Sequence, residues 1–252
     1  MCGVVGIIGK KNASSLVLEG LKKLEYRGYD SAGIASFYQK SIQVAKSEGK
    51  LVNLINKVND LAKDNLYYDT SIALGHTRWA THGNINIKNA HPLTSENRVA
   101  VVHNGIIENY ASIKKTLESE GYVFTSQTDT EVLPHLFTKY LKKGHDFLQA
   151  GRLVLKVIKG AFAFVAICLD FPDQLFVSRN SSPLAIGLGE GSNFVGSDAQ
   201  SINHLTNKII YLEDGDYALI KINDIEVFDK DSNKVDRKII NIQSELGLIT
   251  KG

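Results

Sequence analysis

Apolar residues along the chain fall into short runs, and most of these runs have the length of a strand. The first run, Val4–Ile8, is apolar without alternation, which is typical of a strand buried on both faces. Val99–His103 and Ala161–Leu169 have the same character. Further strands are predicted at Gly33–Phe37, Ile42–Ala45, Ile72–Trp79, Leu175–Ser178, Leu184–Leu188, Asn193–Val195, Ile209–Leu212, Tyr217–Ile222 and Glu226–Phe228.

Segments with helical spacing of apolar residues interrupt the strands. They cover Leu16–Leu24, Leu51–Leu61, Tyr110–Glu120, Glu131–Lys142 and Leu148–Lys159, with a short helix near Ala199–Leu205. Consecutive strands are joined by short turns, so the order is not the alternating series of a parallel sheet. Many strands are apolar on both faces and must be covered twice. We therefore predict an α+β fold, a four-layer αββα sandwich of two antiparallel sheets with helices outside.

Composition narrows the class of protein. The chain has 252 residues, 43% of them hydrophobic, which is enough for a sizeable core. Its net charge is +2 with interleaved signs, which argues against a nucleic-acid-binding face. No apolar run reaches the roughly 18 residues of a membrane span, and the N-terminus lacks the order of a signal peptide. We expect a cytoplasmic globular protein without nucleic-acid or membrane partners.

The two cysteines differ in their surroundings. Cys168 lies in an apolar run, where thiols are inert. Cys2 follows Met1, and removal of Met1 places a thiol nucleophile and a free α-amine on one residue. An α-amine has a pKa of about 7.7–8.0, which suits a general base at neutral pH. The alternatives are an incidental terminal cysteine, or a retained Met1 that leaves the Cys2 nitrogen an amide without basicity.

The dipeptide Asn104-Gly105 is a candidate for binding a developing oxyanion. It follows the buried run Val99–His103 and pairs a side-chain amide with an unhindered backbone N–H. The alternative is a tight turn, because Asn-Gly is the most favourable dipeptide for one.

Three more residues have two interpretations each. Arg78 offers a planar fork for a carboxylate, or it is a solvated loop arginine. Asp129 can bind an ammonium group, or it serves the start of a helix, where Thr128 and Glu131 have the spacing of a capping box. Trp79 is either a lid over a pocket or part of the core.

The histidines give no indication of a metal site. His76, His82, His91 and His103 do not have the spacing of known zinc motifs. We expect neither a metal nor an organic cofactor.

Several motifs together resemble the class II glutamine amidotransferases, whose mature N-terminal residue is the nucleophilic cysteine. The matching segments, which cover nearly the whole chain, are EYRGYDSAGIA, GHTRWATHG, NAHPL, VVHNGIIENY, SQTDTEV, KGAFAF and SRNSSPL. The segments TRWATHG and NGIIENY differ from members that make phosphoribosylamine or asparagine. They favour the branch whose parent enzymes aminate fructose 6-phosphate to glucosamine 6-phosphate.

The resemblance implies a role for each candidate. Cys2 would attack the side-chain amide of L-glutamine, with its own amine as base. Asn104 and Gly105 would form the oxyanion hole. Arg78 would bind the α-carboxylate of glutamine and Asp129 its α-ammonium, so that the amide end arrives in position for attack.

A second group of residues is implied to support these. Trp79, Thr81 and His82 would lie on a loop that closes over glutamine and retains ammonia. Arg27 would lie near the N-terminal cysteine.

The resemblance also implies a domain organisation. Residues 1–240 would form the glutaminase domain, and 241–252 would begin a linker to an absent sugar-phosphate isomerase half. That half, and a homodimer of the parent protein, are the expected partners. The alternatives are the glutaminase domain of another class II enzyme, a catalytically silent regulatory domain that keeps Met1, and a self-processing peptidase or acylase of the same fold.

Overall fold

The computed structural model describes residues 2–9, 11–27, 29–63, 70–79 and 86–242, with only the backbone of Arg27. The strands are β1 (Gly3–Gly9), β2 (Ser31–Tyr38), β3 (Ser41–Glu48), β4 (Ile72–Arg78), β5 (Leu93–Ser95), β6 (Val99–Ile107), β7 (Gly160–Cys168), β8 (Phe171–Asn180), β9 (Ala185–Gly189), β10 (Ser192–Gly196), β11 (Lys208–Tyr211), β12 (Tyr217–Ile220), β13 (Ile225–Phe228) and β14 (Ile239–Asn241). The helices are α1 (Ala13–Lys23), α2 (Leu51–Ala62), α3 (Tyr110–Ser119), α4 (Val132–Lys142) and α5 (Phe147–Val157), with 3-10 turns at Glu25–Arg27, Asp129–Glu131 and Ala199–Ser201.

The strands form two antiparallel sheets. One sheet has eight strands in the order β14-β11-β9-β10-β1-β4-β2-β3, and the other has six in the order β13-β12-β8-β7-β6-β5. Helices α1 and α2 contact strands of the first sheet, and α4 and α5 contact strands of the second. The predicted αββα sandwich is confirmed.

The core lies in three layers, and β1 shows why its sequence does not alternate. Val4 and Ile8 pack between the two sheets, whereas Val5 and Ile7 pack with the helices on the outer face. All of β1 is buried because it lies in the middle of the eight-stranded sheet, between β10 and β4. The prediction of a strand buried on both faces is therefore confirmed.

Strand β6 differs from its prediction at the carboxyl end. It continues through Asn104 and Gly105, which pair with Ala163 and Phe162 of β7, so the interpretation of Asn-Gly as a turn is wrong. Gly105 has φ +113°, and a Cβ added there would lie 2.0 Å from the carbonyl oxygen of Ala161. Glycine is required here because the backbone of β7 passes close by.

Two strands are not predicted by the sequence. β5 and β14 have three residues each, too few to show a period of two. Cys168 is fully buried at the end of β7, and burial raises the pKa of its thiol to about 11, which confirms its assignment to the core. Within the described residues, no helix is both long enough and apolar enough to cross a membrane.

Candidate active site

The site lies where the space between the two sheets changes from apolar to polar. On β4, Ile72 and Leu74 belong to the core between the sheets. Side chains two residues apart on a strand share a face, so His76 and Arg78 continue the same face beyond the apolar residues. Both are almost fully buried, at 1% and 4% exposure. The interpretation of Arg78 as a solvated loop residue is wrong.

Strand β6 supplies the opposite wall by the same periodicity. Ala100 and Val102 belong to the core between the sheets, and Asn104 is the next residue on that face. Its side-chain Nδ2 donates to the carbonyl oxygen of Cys2 at 3.2 Å. Its Oδ1 lies 3.0 Å from Nε2 of His76. The amide of Asn104 therefore bridges the two sheets at their polar end.

Cys2 immediately precedes β1, and the neighbouring strand end holds its sulfur. The backbone N–H of Trp79 donates to Sγ at 3.1 Å, and Sγ lies 3.4 Å from the carbonyl oxygen of Trp79. Burial raises the pKa of the Cys2 thiol, and the N–H of Trp79 and the charge of Arg78 lower it by less. The thiol is therefore protonated at neutral pH and needs a base to become a nucleophile.

The side chain of Trp79 is not part of the core. It is 53% exposed, although it lines the cavity beside Cys2. The interpretation of Trp79 as a core residue is wrong. Thr81, His82 and the side chain of Arg27 lie outside the described residues.

Asp129 is fixed against the end of β6. It begins the 3-10 turn that precedes α4, and its Oδ2 accepts a hydrogen bond from the backbone N–H of Ile107 at 2.7 Å. The residue is 6% exposed and lines the same cavity as Cys2. The structure thus brings a carboxylate to the wall of the cavity.

The predicted capping box is wrong. The side chain of Thr128 makes no capping hydrogen bond. The carboxylate of Glu131 accepts from the backbone N–H groups of Thr125 and Ser126 instead, because the chain before the turn folds back over it. Burial raises the pKa of Glu131, but the nearby ring of His135, whose Nε2 lies 3.8 Å from Oε1, and hydrogen bonds from Ser126 and Thr125 outweigh burial and lower it to about 2.

One cavity of about 500 Å³ joins the predicted residues. Its walls include Cys2, Arg78, Trp79, Asn104, Gly105 and Asp129. The volume is within the range of small-molecule sites. A thiol, an amide, an unhindered N–H, a guanidinium and a carboxylate thus surround a space that fits an amino acid.

Three histidines of this cavity were not predicted from the sequence. His76, His91 and His103 line it. The ring centroids of His76 and His91 are 4.3 Å apart, and those of His91 and His103 are 6.4 Å apart. Burial lowers the pKa of all three, to about 3 for His76 and about 4 for His103, so their rings are neutral. The described residues contain no group of three or more His, Cys, Asp or Glu arranged to hold a metal ion. Because side chains two residues apart on a strand share a face, the prediction of β4 as a strand was enough to place His76 beside Arg78.

Two stacked antiparallel sheets with helices on both outer faces are the fold of the N-terminal-nucleophile hydrolase type. Residues 76–204 match a family model described as a glutamine amidotransferase domain. The chain belongs to this family, which confirms the resemblance seen in the motifs. The glutamine phosphoribosylpyrophosphate amidotransferase from B. subtilis has a similar structure, with a TM-score of 0.75 and 26% identity over 92% of this chain and 50% of that one.

Curated relatives are similar over the whole chain. The glutamine–fructose-6-phosphate aminotransferase (isomerizing) of Fusobacterium nucleatum is 48% identical over 254 residues, which is 100% of this chain and 41% of that protein. The enzyme of the same name from Mesorhizobium japonicum is 44% identical, over 100% of this chain and 40% of that protein. The chain thus spans about 40% of the length of these relatives.

Proposed function

We propose that the chain hydrolyses the side-chain amide of L-glutamine to glutamate and ammonia through a thioester on Cys2. The contact between Asn104 Nδ2 and the carbonyl oxygen of Cys2 carries the proposal. It joins the candidate nucleophile to the candidate oxyanion dipeptide, although they lie far apart in sequence. Arg78 and Asp129 in the same cavity supply two opposite charges that match the α-carboxylate and α-ammonium of an amino acid.

The first chemical step is attack of Sγ on the amide carbon. Because burial raises the pKa of the thiol, a base must remove its proton. The α-amine of Cys2, once Met1 has been removed, is the base we propose. The C–S bond forms, the carbonyl electrons move to oxygen, and the amine later passes the proton to the departing nitrogen. Collapse of the intermediate breaks the C–N bond, releases ammonia and leaves the thioester, which water hydrolyses to glutamate.

The negative oxygen of the intermediate needs hydrogen-bond donors. The Asn104 amide carries two hydrogens, and its contact with Cys2 uses one of them. We assign the second hydrogen and the backbone N–H of Gly105 to the oxyanion. One such donor accelerates acyl transfer by about 10²–10³-fold.

The other residues of the site bind and enclose the substrate in this proposal. Arg78 binds the α-carboxylate and Asp129 the α-ammonium of glutamine, which holds the amide end against Cys2. Trp79, exposed at the cavity mouth, would close over the substrate together with Thr81 and His82, and Arg27 would support the N-terminal cysteine.

We further propose that residues 1–240 act as the glutaminase domain of a longer glutamine–fructose-6-phosphate aminotransferase. The similarity of the whole chain to about 40% of such enzymes supports this. Ammonia released at Cys2 would then aminate fructose 6-phosphate in a sugar-phosphate isomerase half. The two free thiols fit a reducing compartment, so we place the reaction in the cytoplasm.

Retention of Met1 favours a second function. The nitrogen of Cys2 would then be an amide, and the thiol, with its raised pKa, would lack the proposed base. The chain would act as a silent regulatory domain that binds glutamine without hydrolysing it.

Intact mass and glutamate release test both functions. We expect a mass that lacks Met1, release of glutamate from glutamine, and no release from Cys2→Ala. Cys168→Ala is the matched control, because this thiol is buried in the core away from the cavity, and it should retain activity. Unchanged activity in Cys2→Ala refutes the thioester mechanism, whereas a retained Met1 with glutamine binding and no turnover supports the regulatory domain.

A further inference from the structure

The Asn104 amide has a definite orientation, and the acceptor it faces determines that orientation. The carbonyl oxygen of Cys2 can only accept, so the end of the amide 3.2 Å away must be the NH₂ group. The opposite end is then Oδ1, which lies 3.0 Å from Nε2 of His76. Oδ1 can only accept as well, so Nε2 of His76 must carry a hydrogen.

The His76 ring is itself held in place. It packs against His91 at a centroid distance of 4.3 Å, and Nδ1 of His91 accepts from the backbone N–H of His103 at 3.3 Å. Burial lowers the pKa of His76 to about 3, so the ring stays neutral and presents one N–H rather than two. Nδ1 of His76 is buried without a hydrogen-bond partner, so a neutral ring is better satisfied with its hydrogen on Nε2, toward the amide of Asn104.

Rotation of the Asn104 amide by 180° would reverse its function. Oδ1 would then face the carbonyl oxygen of Cys2 and the site of the developing oxyanion, and both contacts would be repulsive. In the rotated form Nε2 of His76 could accept from the NH₂ group only if its hydrogen moved to Nδ1, which is buried without a hydrogen-bond partner. The carbonyl oxygen of Cys2 and the N–H of His76 therefore favour the same one of two amide orientations that are equal in shape.

We propose that His76 is a positioning residue that holds the Asn104 amide with its NH₂ group toward the oxyanion. The proposal rests on the glutaminase function above and adds a residue that has no role in the mechanism given there. His76 does not touch the reacting atoms and acts only through Asn104.

Three substitutions separate this role from a structural one. Gln places an amide N–H near the position of Nε2, Asn places it near the position of Nδ1 and too far from Asn104, and Phe keeps the ring without a donor. We expect kcat to fall about 10²-fold in His76→Phe and His76→Asn, the size of one lost oxyanion donor. KM for glutamine should change little, and His76→Gln should recover most of kcat.

A second readout follows the oxyanion itself. An aldehyde analogue of glutamine adds to a thiol and forms a tetrahedral adduct, whereas glutamate binds without one. His76→Phe should weaken inhibition by the aldehyde by about the same factor as kcat and leave inhibition by glutamate unchanged. Alkylation of Cys2 by iodoacetamide, which needs no oxyanion hole, should keep its rate.

The outcomes distinguish this proposal from the function on which it rests. Equal losses in His76→Gln, His76→Asn and His76→Phe would overturn it, as would full kcat in His76→Phe. If His76→Phe does not fold, the kcat values of His76→Gln and His76→Asn still test the proposal. Absence of glutamate release from the unmodified protein with Met1 removed would instead contradict the glutaminase function.

Discussion

Asp129→Asn removes one negative charge from the cavity and leaves its local hydrogen bond in place. The carboxylate accepts from the N–H of Ile107 at 2.7 Å, and the carbonyl oxygen of an asparagine can do the same. Asp129 is 6% exposed, so its pairing with a substrate ammonium is largely desolvated. Losing one partner of such a pair costs about 2–5 kcal/mol. The catalytic efficiency kcat/KM for glutamine should therefore fall roughly 30-fold to several thousand-fold.

The assay compares two substrates in two proteins. Glutamine and the analogue without its α-amino group are given to the unmodified protein and to Asp129→Asn, and glutamate or its deaminated counterpart is measured. The analogue should be a poor substrate for both proteins to the same degree, because the charge pair is already missing. Asp129→Ala serves as a stability control: it leaves the buried N–H of Ile107 unpaired, which costs about 1–3 kcal/mol. Equal losses on both substrates in Asp129→Asn would refute the ammonium assignment.

Three further predictions test Gly105 and Arg78 of the cavity and the buried carboxylate of Glu131. Gly105→Ala places a Cβ 2.0 Å from the carbonyl oxygen of Ala161 and should destabilise the fold and abolish turnover. Gly121→Ala, at φ +91° with open space around it, should cost only the backbone strain of about 1–3 kcal/mol. Equal melting temperatures of the two variants would contradict this. Arg78→Lys keeps the charge but loses the planar fork, so KM for glutamine should rise about 10- to 150-fold with little change in kcat, and an unchanged KM would exclude the carboxylate assignment. The pKa of Glu131 is lowered from 4.5 to about 2 on folding, so it contributes on the order of 3 kcal/mol that is present above pH 4.5 and lost as pH falls toward 2. Between pH 4.5 and 2, Glu131→Gln should therefore lose less stability than the unmodified protein. An equal loss in the two proteins would contradict this contribution of Glu131.

The fold, and the candidate residues that line one cavity, could be predicted from the sequence for different reasons. Strands such as β1 and β6 are recognisable because apolar residues on both faces leave a continuous run. The candidate chemistry of Cys2 and Asn104-Gly105 was recognisable only from the motifs that resemble class II glutamine amidotransferases, because each of these residues alone has an ordinary structural interpretation. Neither signal required knowledge of distant contacts.

The remaining features depend on contacts between distant segments. Glu131 has the spacing of a capping box with Thr128, but its carboxylate binds Thr125 and Ser126 because the preceding loop folds over it. Gly105 looks like a turn residue until the carbonyl of Ala161 is placed beside it. His76 was considered only as a metal ligand, since its partner lies on a strand of the other sheet.

The central position of β1 has a consequence for the order in which the protein forms. Strand β1 pairs on one side with β4, and on the other side its Val5 pairs with Gly196. Its second neighbour does not exist until residues 192–196 have left the ribosome, and contacts of such long sequence separation form slowly. Cys2 therefore acquires its final surroundings late, after most of the chain has been made. Until then one edge of β1 lacks the strand with which it pairs.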